Sequence, residues 1–188
     1  GRPQSEDRLV YAIEDHPTRN PYATVTQDGA WLVIDVRDGY RTSGLYYQRL
    51  GPERSDVVRL LDAWDARYEF IGNDGPVFFI QTTRAAPNGR IVAIDTRRPA
   101  PEHWREIVPE GTAAIAAASL VADRLVVQQI VEVKSRVTAY STSGEPLGEL
   151  PLPGAGSVAG FPGPSRHPET YFTYTDFVTP RTLYRHDL

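Results

Sequence analysis

The sequence predicts an all-β fold: a partial β-propeller of about four blades, each a four-stranded antiparallel sheet. Two sets of landmarks predict it. Leu45-Tyr-Tyr, Ile91-Val-Ala, Val137-Thr-Ala and Leu183-Tyr-Arg each open a short β-type run after a turn, and each stands 46 residues from the next. Independently, Gly29 and Gly75 are 46 residues apart, as are Tyr22 and Tyr68. A fixed period of this size means one supersecondary unit copied along the chain, with neighbours burying each other's faces. A sandwich of short strands would not demand a strict period.

Each period divides into four short runs. The first blade, 22–62, reads as strands over 22–27, 30–36, 44–50 and 57–62. The second, 68–110, reads as strands over 68–73, 77–82, 90–96 and 104–108. The third, 112–152, reads as 112–122, 124–133, 136–142 and 146–152. The fourth, 156–188, is incomplete: strands are expected over 157–161, 170–177 and 182–188, and the last one is missing. The run 8–14 resembles 57–62 and reads as the last strand of a preceding blade.

Asp28-Gly29 and Asp74-Gly75 lie between apolar runs, which predicts type I′ hairpins with positive φ at both central residues. The stretch 112–120 is rich in alanine, a strong helix former, yet the register of the repeat places a strand there. Trp31 and Val33 alternate with Leu32 and Ile34, so both faces are apolar, as suits a sheet packed between neighbouring sheets.

A chain of 188 residues can hold one large β domain or two small ones. A net charge of −4, spread along the chain, leaves no basic stripe for nucleic acid. No apolar run approaches the ~20 residues needed to span a bilayer, and 1–10 carries no signal-peptide pattern. Without cysteine there are no disulfides, thiolate metal sites or cysteine nucleophile. Methionine is also absent, even at position 1, which reads as a processed, engineered or excised piece.

No complete catalytic set emerges from the residues. Gly154-Ala-Gly-Ser157-Val-Ala-Gly160 has the wrong spacing for a Gly-x-Ser-x-Gly nucleophile turn, and no βαβ context for a dinucleotide loop. It reads as a glycine-rich entry to a strand. His16, His103, His167 and His186 show no paired ligand spacing, so no metal and no cofactor are expected. Asp35/Asp38 and Asp62/Asp65 sit beside turns, where aspartate serves local hydrogen bonds more often than acid–base chemistry. Trp31, Trp64 and Trp104 read as packing between sheets rather than as partner-binding side chains. No Asn-x-Ser/Thr glycosylation site is present.

A family resemblance adds what the residues alone do not. Leu9-Val-Tyr with His16-Pro17, Thr26-Gln-Asp-Gly29, Gly44-Leu-Tyr-Tyr47, Gly72-Asn-Asp-Gly75 and Phe78-Phe-Ile-Gln-Thr-Thr-Arg-Ala-Ala-Pro87 occur in family order. So do Arg90-Ile-Val-Ala-Ile-Asp95, Trp104-Arg-Glu-Ile-Val-Pro-Glu110, Gly148-Glu-Leu-Pro-Leu-Pro153, Gly156-Ser-Val-Ala-Gly160 and Thr173-Tyr-Thr-Asp-Phe-Val-Thr-Pro180. Together they resemble the later part of the propeller of prolyl oligopeptidases, a family of serine peptidases, across almost the whole chain.

The resemblance implies a parent enzyme in which a seven-bladed propeller caps an α/β-hydrolase domain that cuts short peptides after proline. This chain would be the non-catalytic part. It would limit access to a serine, base and oxyanion donors that lie outside it, and it would be inert alone. Its implied partners are that hydrolase domain of the same parent chain and oligopeptide substrates, with neither nucleic acid nor membrane. Alignment through Asp28-Gly29 places two family positions that face the substrate cavity on Asn20 and Tyr40. Each also has a local reading, Asn20 capping a loop before Pro21 and Tyr40 closing a hairpin after Gly39. The cytoplasm is the compartment expected first, with periplasm or secretion open.

Two other readings stand beside this one. The blades could form a free-standing protein-interaction scaffold. The isolated fragment could also associate with itself, a second copy's 8–14 run adding to the open edge of the fourth blade.

Overall fold

Short runs rich in Val, Ile, Tyr and Thr, each closed by a turn, fold as strands rather than helices. The computed structural model describes all residues except 2, 53 and 165. Its strands form four antiparallel sheets, each a meander of consecutive strands. The only helical pieces among the described residues are single 3₁₀ turns at Gln4–Glu6 and Pro101–His103. The chain divides into two compact units, Gly1–Arg67 and Tyr68–Leu188.

The first unit holds one sheet: β1 (Asn20–Val25), β2 (Trp31–Asp38), β3 (Thr42–Arg49) and β4 (Val58–Leu61), in that order. Ile34, Val36 and Tyr46 are buried on one face, with Leu32, Val57 and Trp64 packed against them. Tyr11 and Ile13 join the same cluster.

The 8–14 run lies outside the four sheets. None of its residues enters a ladder, because β1 pairs with β2, β4 pairs with β3, and no strand lies beside it among the described residues. Its apolar side chains pack on the sheet instead, the Tyr11 ring lying 5.4 Å from that of Tyr46.

The second unit holds three sheets. β5 (Tyr68–Asp74), β6 (Val77–Thr82), β7 (Arg90–Asp95) and β8 (Arg105–Val108) form one. β9 (Ala114–Val121), β10 (Arg124–Val131), β11 (Lys134–Ser141) and β12 (Pro146–Glu149) form the next. β13 (Ser157–Gly160), β14 (Glu169–Thr175) and β15 (Thr182–Asp187) form the last, with three strands.

Alternation along β10 shows how these sheets stack. Leu125 and Val127 enter a core with Phe79, Ile91, Ile107 and Leu120. Val126, between them in sequence, enters a different core with Phe161, Phe172 and Tyr174. A strand buried on both faces lies in a sheet covered on both sides. The same burial explains why the alanine-rich run is strand β9 and not helix. Its backbone is paired with β10 from Ala114 to Val121, and Ile115, Leu120 and Val121 are buried. Such pairing outweighs the few tenths of a kcal/mol per residue that helix propensity offers.

Both expected type I′ hairpins take other forms. Between β1 and β2, φ is positive at Gly29 (+70°) but not at Asp28. Asp28 contributes its side chain instead: Oδ1 accepts from the Thr26 hydroxyl at 2.6 Å and the Ala30 N–H at 3.0 Å. Between β5 and β6, Asp74 pairs with Val77, so the two turn residues are Gly75 and Pro76. Gly75 has φ +53°, while the proline ring holds the second position negative, the sign pattern of a type II′ turn.

The type I′ sign pattern appears where no glycine marks it. Ala122 and Asp123 (φ +51° and +54°) link β9 to β10, and Glu132 and Val133 (+45° and +61°) link β10 to β11. A β-branched residue with left-handed φ is strained, and Val133 is 91% exposed, so packing returns little. Val133→Gly is expected to stabilise the chain. Relief of ~1–2 kcal/mol of strain exceeds glycine's ~0.4–1 kcal/mol gain in unfolded-state entropy. Thermal unfolding should shift upward by roughly 1–4 °C. An unchanged or lower midpoint would show that the turn carries no such strain.

Glycine serves a different purpose where strands of adjacent sheets approach. A Cβ on Gly72 in β5 would lie 2.9 Å from Leu120 Cβ in β9. A Cβ on Gly144, in the turn between β11 and β12, would lie 2.7 Å from the Ile107 carbonyl oxygen of β8.

The β14–β15 loop is tied by Asp176. Its Oδ2 accepts from the Tyr174 hydroxyl at 2.8 Å, and its Oδ1 accepts from the N–H groups of Val178 (2.9 Å) and Thr179 (2.6 Å). These donors, Tyr174 first, hold the carboxyl at about 2, well below the usual carboxylate range.

Candidate functional site

The candidate site is one end of the first sheet, where β1 begins and β2 ends. Asn20 is the first residue of β1 and pairs with Arg37, so the start of β1 lies beside the end of β2. β2 closes at Asp38, and Gly39-Tyr40-Arg41 turns the chain into β3. Gly39 takes φ +64°, a conformation costly for other residues, and leaves Tyr40 at the tip. Tyr40 is 96% exposed. Asn20 is exposed too, and its side-chain amide donates to the Thr18 carbonyl at 3.1 Å. The ladder therefore brings both residues to one end of the sheet, free of any core role.

A side-chain network lies beneath this end. The Arg19 Nε donates to Asp38 Oδ2 at 3.0 Å, joining the residue before Asn20 to the residue before Gly39. The same guanidinium stacks over the Trp64 ring, its central carbon 3.5 Å from the ring centroid. Trp64 in turn donates its indole N–H to Asp62 Oδ1 at 3.2 Å. Asp62 also accepts from the Tyr46 hydroxyl at 3.1 Å and from Arg59 at 3.1 Å. Burial pushes the Tyr46 phenol well above its ordinary value, with Tyr11 and Asp62 adding to the shift. It is held as a neutral donor.

An exposed ion pair is worth little, about 0–1 kcal/mol. The Arg19 side chain, however, is only 16% exposed, and a partly desolvated cation–π contact contributes ~0.5–2 kcal/mol more. Gly44 packs tightly beside this network. A Cβ there would meet the Tyr46 hydroxyl at 3.1 Å, the Leu61 carbonyl at 3.2 Å and the Trp64 ring at 3.2 Å.

Chemically, this end offers an amide, a phenol and a braced guanidinium, all hydrogen-bonding groups. Of the carboxylates weighed from sequence, Asp35 is bound to Arg37 at 3.0 Å, Asp38 to Arg19 and Asp62 to three donors. His16, His103 and His167 are exposed. Among the described residues no three of His, Asp and Glu gather in a metal-binding group. Ser157 stands in β13 opposite Thr175, not on a strand-to-helix turn. The glycine-rich run before it permits close approach, since a Cβ on Gly156 would lie 2.5 Å from the Thr175 carbonyl oxygen.

Sequence reasoning missed Arg19. Its partners lie 19 and 45 positions away, so no local pattern marks it. Trp64 is half-buried, takes φ +55° and lies beneath the Arg19 guanidinium. Trp31 packs edge-on to Tyr47 at 5.5 Å, and Trp104 donates to the Pro99 carbonyl at 2.8 Å under Arg84.

Comparison with known proteins places these elements in a larger frame. The family model described as prolyl oligopeptidase, N-terminal β-propeller domain, matches residues 1–188. A prolyl endopeptidase of Elizabethkingia miricola is 26% identical over 98% of this chain and 26% of its own length. Prolyl oligopeptidase A of Amanita bisporigera is 30% identical over 100% of this chain and 25% of its own. The chain thus spans about a quarter of the length of these relatives.

Solved structures agree. One from a study of two prolyl endopeptidases superposes with a TM-score of 0.92 and 28% identity, covering all of this chain and 27% of that one. Prolyl oligopeptidase B of Galerina marginata, bound to a 25mer macrocyclization substrate, superposes with a TM-score of 0.88 at 25% identity, again over 100% of this chain and 27% of its own.

Proposed function

Because this chain belongs to the prolyl oligopeptidase family, as part of its N-terminal β-propeller domain, we propose that it gates access to a peptidase site carried by the hydrolase domain of its parent. That catalytic domain is not in this chain. The substrates are short peptides cut after proline, and Asn20 and Tyr40 face them from the propeller side. The observation that carries this reading is the family match over the whole chain, and the exposure of Asn20 and Tyr40 at one end of the first sheet supports it.

Gating by access has a clear energetic basis. To reach an enclosed serine, a folded substrate must first open locally, at a cost that rises toward its global stability of ~5–15 kcal/mol. A short flexible peptide has no such cost. The lid therefore selects by conformation as well as by sequence.

The test uses peptides of graded length around one proline, together with a folded protein presenting the same sequence. The full-length parent is expected to cleave the short peptides and spare the folded protein, while the isolated 188 residues cleave none. The isolated chain is also expected to associate through the open edge of β15. Cleavage by the isolated chain, or cleavage of the folded substrate at the short-peptide rate, would overturn the gating role. A monomer by light scattering at high concentration would overturn the association.

A further inference from the structure

We infer that Arg19 is a positioning residue, a clamp that fixes the two segments carrying Asn20 and Tyr40 and thereby sets how tightly the parent enzyme holds its peptide. The inference rests on the proposal that Asn20 and Tyr40 face the substrate.

Three observations carry it. First, Arg19 immediately precedes Asn20, and its partner Asp38 immediately precedes the Gly39-Tyr40-Arg41 turn, so their 3.0 Å contact ties one candidate segment to the other. Second, the guanidinium cannot swing away, because it rests on the Trp64 ring at 3.5 Å. Trp64 is itself fixed by its 3.2 Å hydrogen bond to Asp62, which Tyr46 and Arg59 hold in turn. Third, the residues being positioned have little else to hold them. Tyr40 is 96% exposed, and the Asn20 side chain bonds only to the nearby Thr18 carbonyl among its described hydrogen bonds.

An exposed tip on a three-residue turn loses considerable freedom when it contacts a ligand, and a rigid base reduces that loss. Preorganisation of this kind acts on binding. Its removal is therefore read mainly in KM when chemistry is slow relative to substrate release.

The test is made in the full-length parent, with peptide substrates long enough to reach the propeller and with a dipeptidyl anilide that is not. Arg19→Gln is expected to raise KM for the long peptides about tenfold, equivalent to ~1.4 kcal/mol, with kcat changed less than about twofold. The anilide should respond little. Arg19→Lys keeps the charge near both Asp38 and the Trp64 face, and should recover part of the loss. A merely structural arginine would lower thermal stability and active-enzyme yield for every substrate alike, without this split. Should Arg19→Gln fail to fold, Asp38→Asn removes the same contact with little change in shape and is expected to shift KM in the same direction.

The alanine variants of Asn20 and Tyr40 separate the possible failures. If they raise KM but neither Arg19→Gln nor Asp38→Asn does, the clamp is wrong and the substrate-facing role stands. If they too leave KM unchanged, the substrate-facing role fails and the clamp fails with it.

Discussion

Phe172→Ala is expected to lower the stability of the chain by about 3–5 kcal/mol. Phe172 lies in β14, is 4% exposed, and is the middle ring of three. Phe161 stacks on one side at 4.9 Å and 15°, and Tyr184 on the other at 5.4 Å and 17°. The core around it joins the last sheet to Val126, Val137 and Ala139 of the sheet before and to Leu150 just after it. Truncation would remove the transfer energy of the ring and both stacking contacts, and would leave a cavity that flanking strands cannot close.

Such a loss is a large part of the ~5–15 kcal/mol available to a folded domain. In thermal unfolding it should appear as a fall of roughly 6–20 °C. Phe172→Leu conserves most of the volume and should cost under about 1.5 kcal/mol. If the alanine variant melts within a degree or two of the parent, the two sheets do not depend on this core.

Gly144→Ala should be nearly as damaging, at about 2–4 kcal/mol, though it adds one methyl group. Two costs combine. Gly144 has φ +101°, where an L side chain is strained, and its new Cβ would lie 2.7 Å from the carbonyl oxygen of Ile107. That oxygen belongs to strand backbone and cannot turn aside. Gly148→Ala separates the two costs, because Gly148 has φ +123° but nothing within 4 Å of its Cβ position. Urea unfolding of both variants should show Gly144→Ala to be the more destabilised by at least about 1 kcal/mol. Equal losses would mean that the contact between the β11–β12 turn and β8 contributes nothing.

Much of the fold was legible because a blade is a local object. Its strands follow one another in sequence, so Tyr46, Val92, Leu125 and Phe172 could be placed on strands from alternation and period. The alanine-rich run was legible only through the period, since its own propensity points to helix. The turns were legible in position but not in kind. Asp28 looked like a backbone determinant and is a side-chain acceptor, while Pro76 decides the other hairpin. The apolar pattern of the 8–14 run places Tyr11 and Ile13 on the first sheet.

The site was legible only in part. Asn20 and Tyr40 came from resemblance, and their shared end of the sheet follows from the pairing of Asn20 with Arg37. The clamp beneath them had no signal, because Arg19, Asp38 and Trp64 meet only after the four strands of the first sheet have set their register.

By itself the amino-acid order determined an all-β chain, a repeat of 46 residues, and the absence of any cysteine chemistry. Period and alternation are properties of neighbours along the chain, and they survive without coordinates. Only the tertiary structure decided which glycines are indispensable, which turns are strained, and which charges meet at the end of the first sheet. Those depend on distances of a few ångströms between residues far apart in sequence, and such distances exist only once the strands have paired.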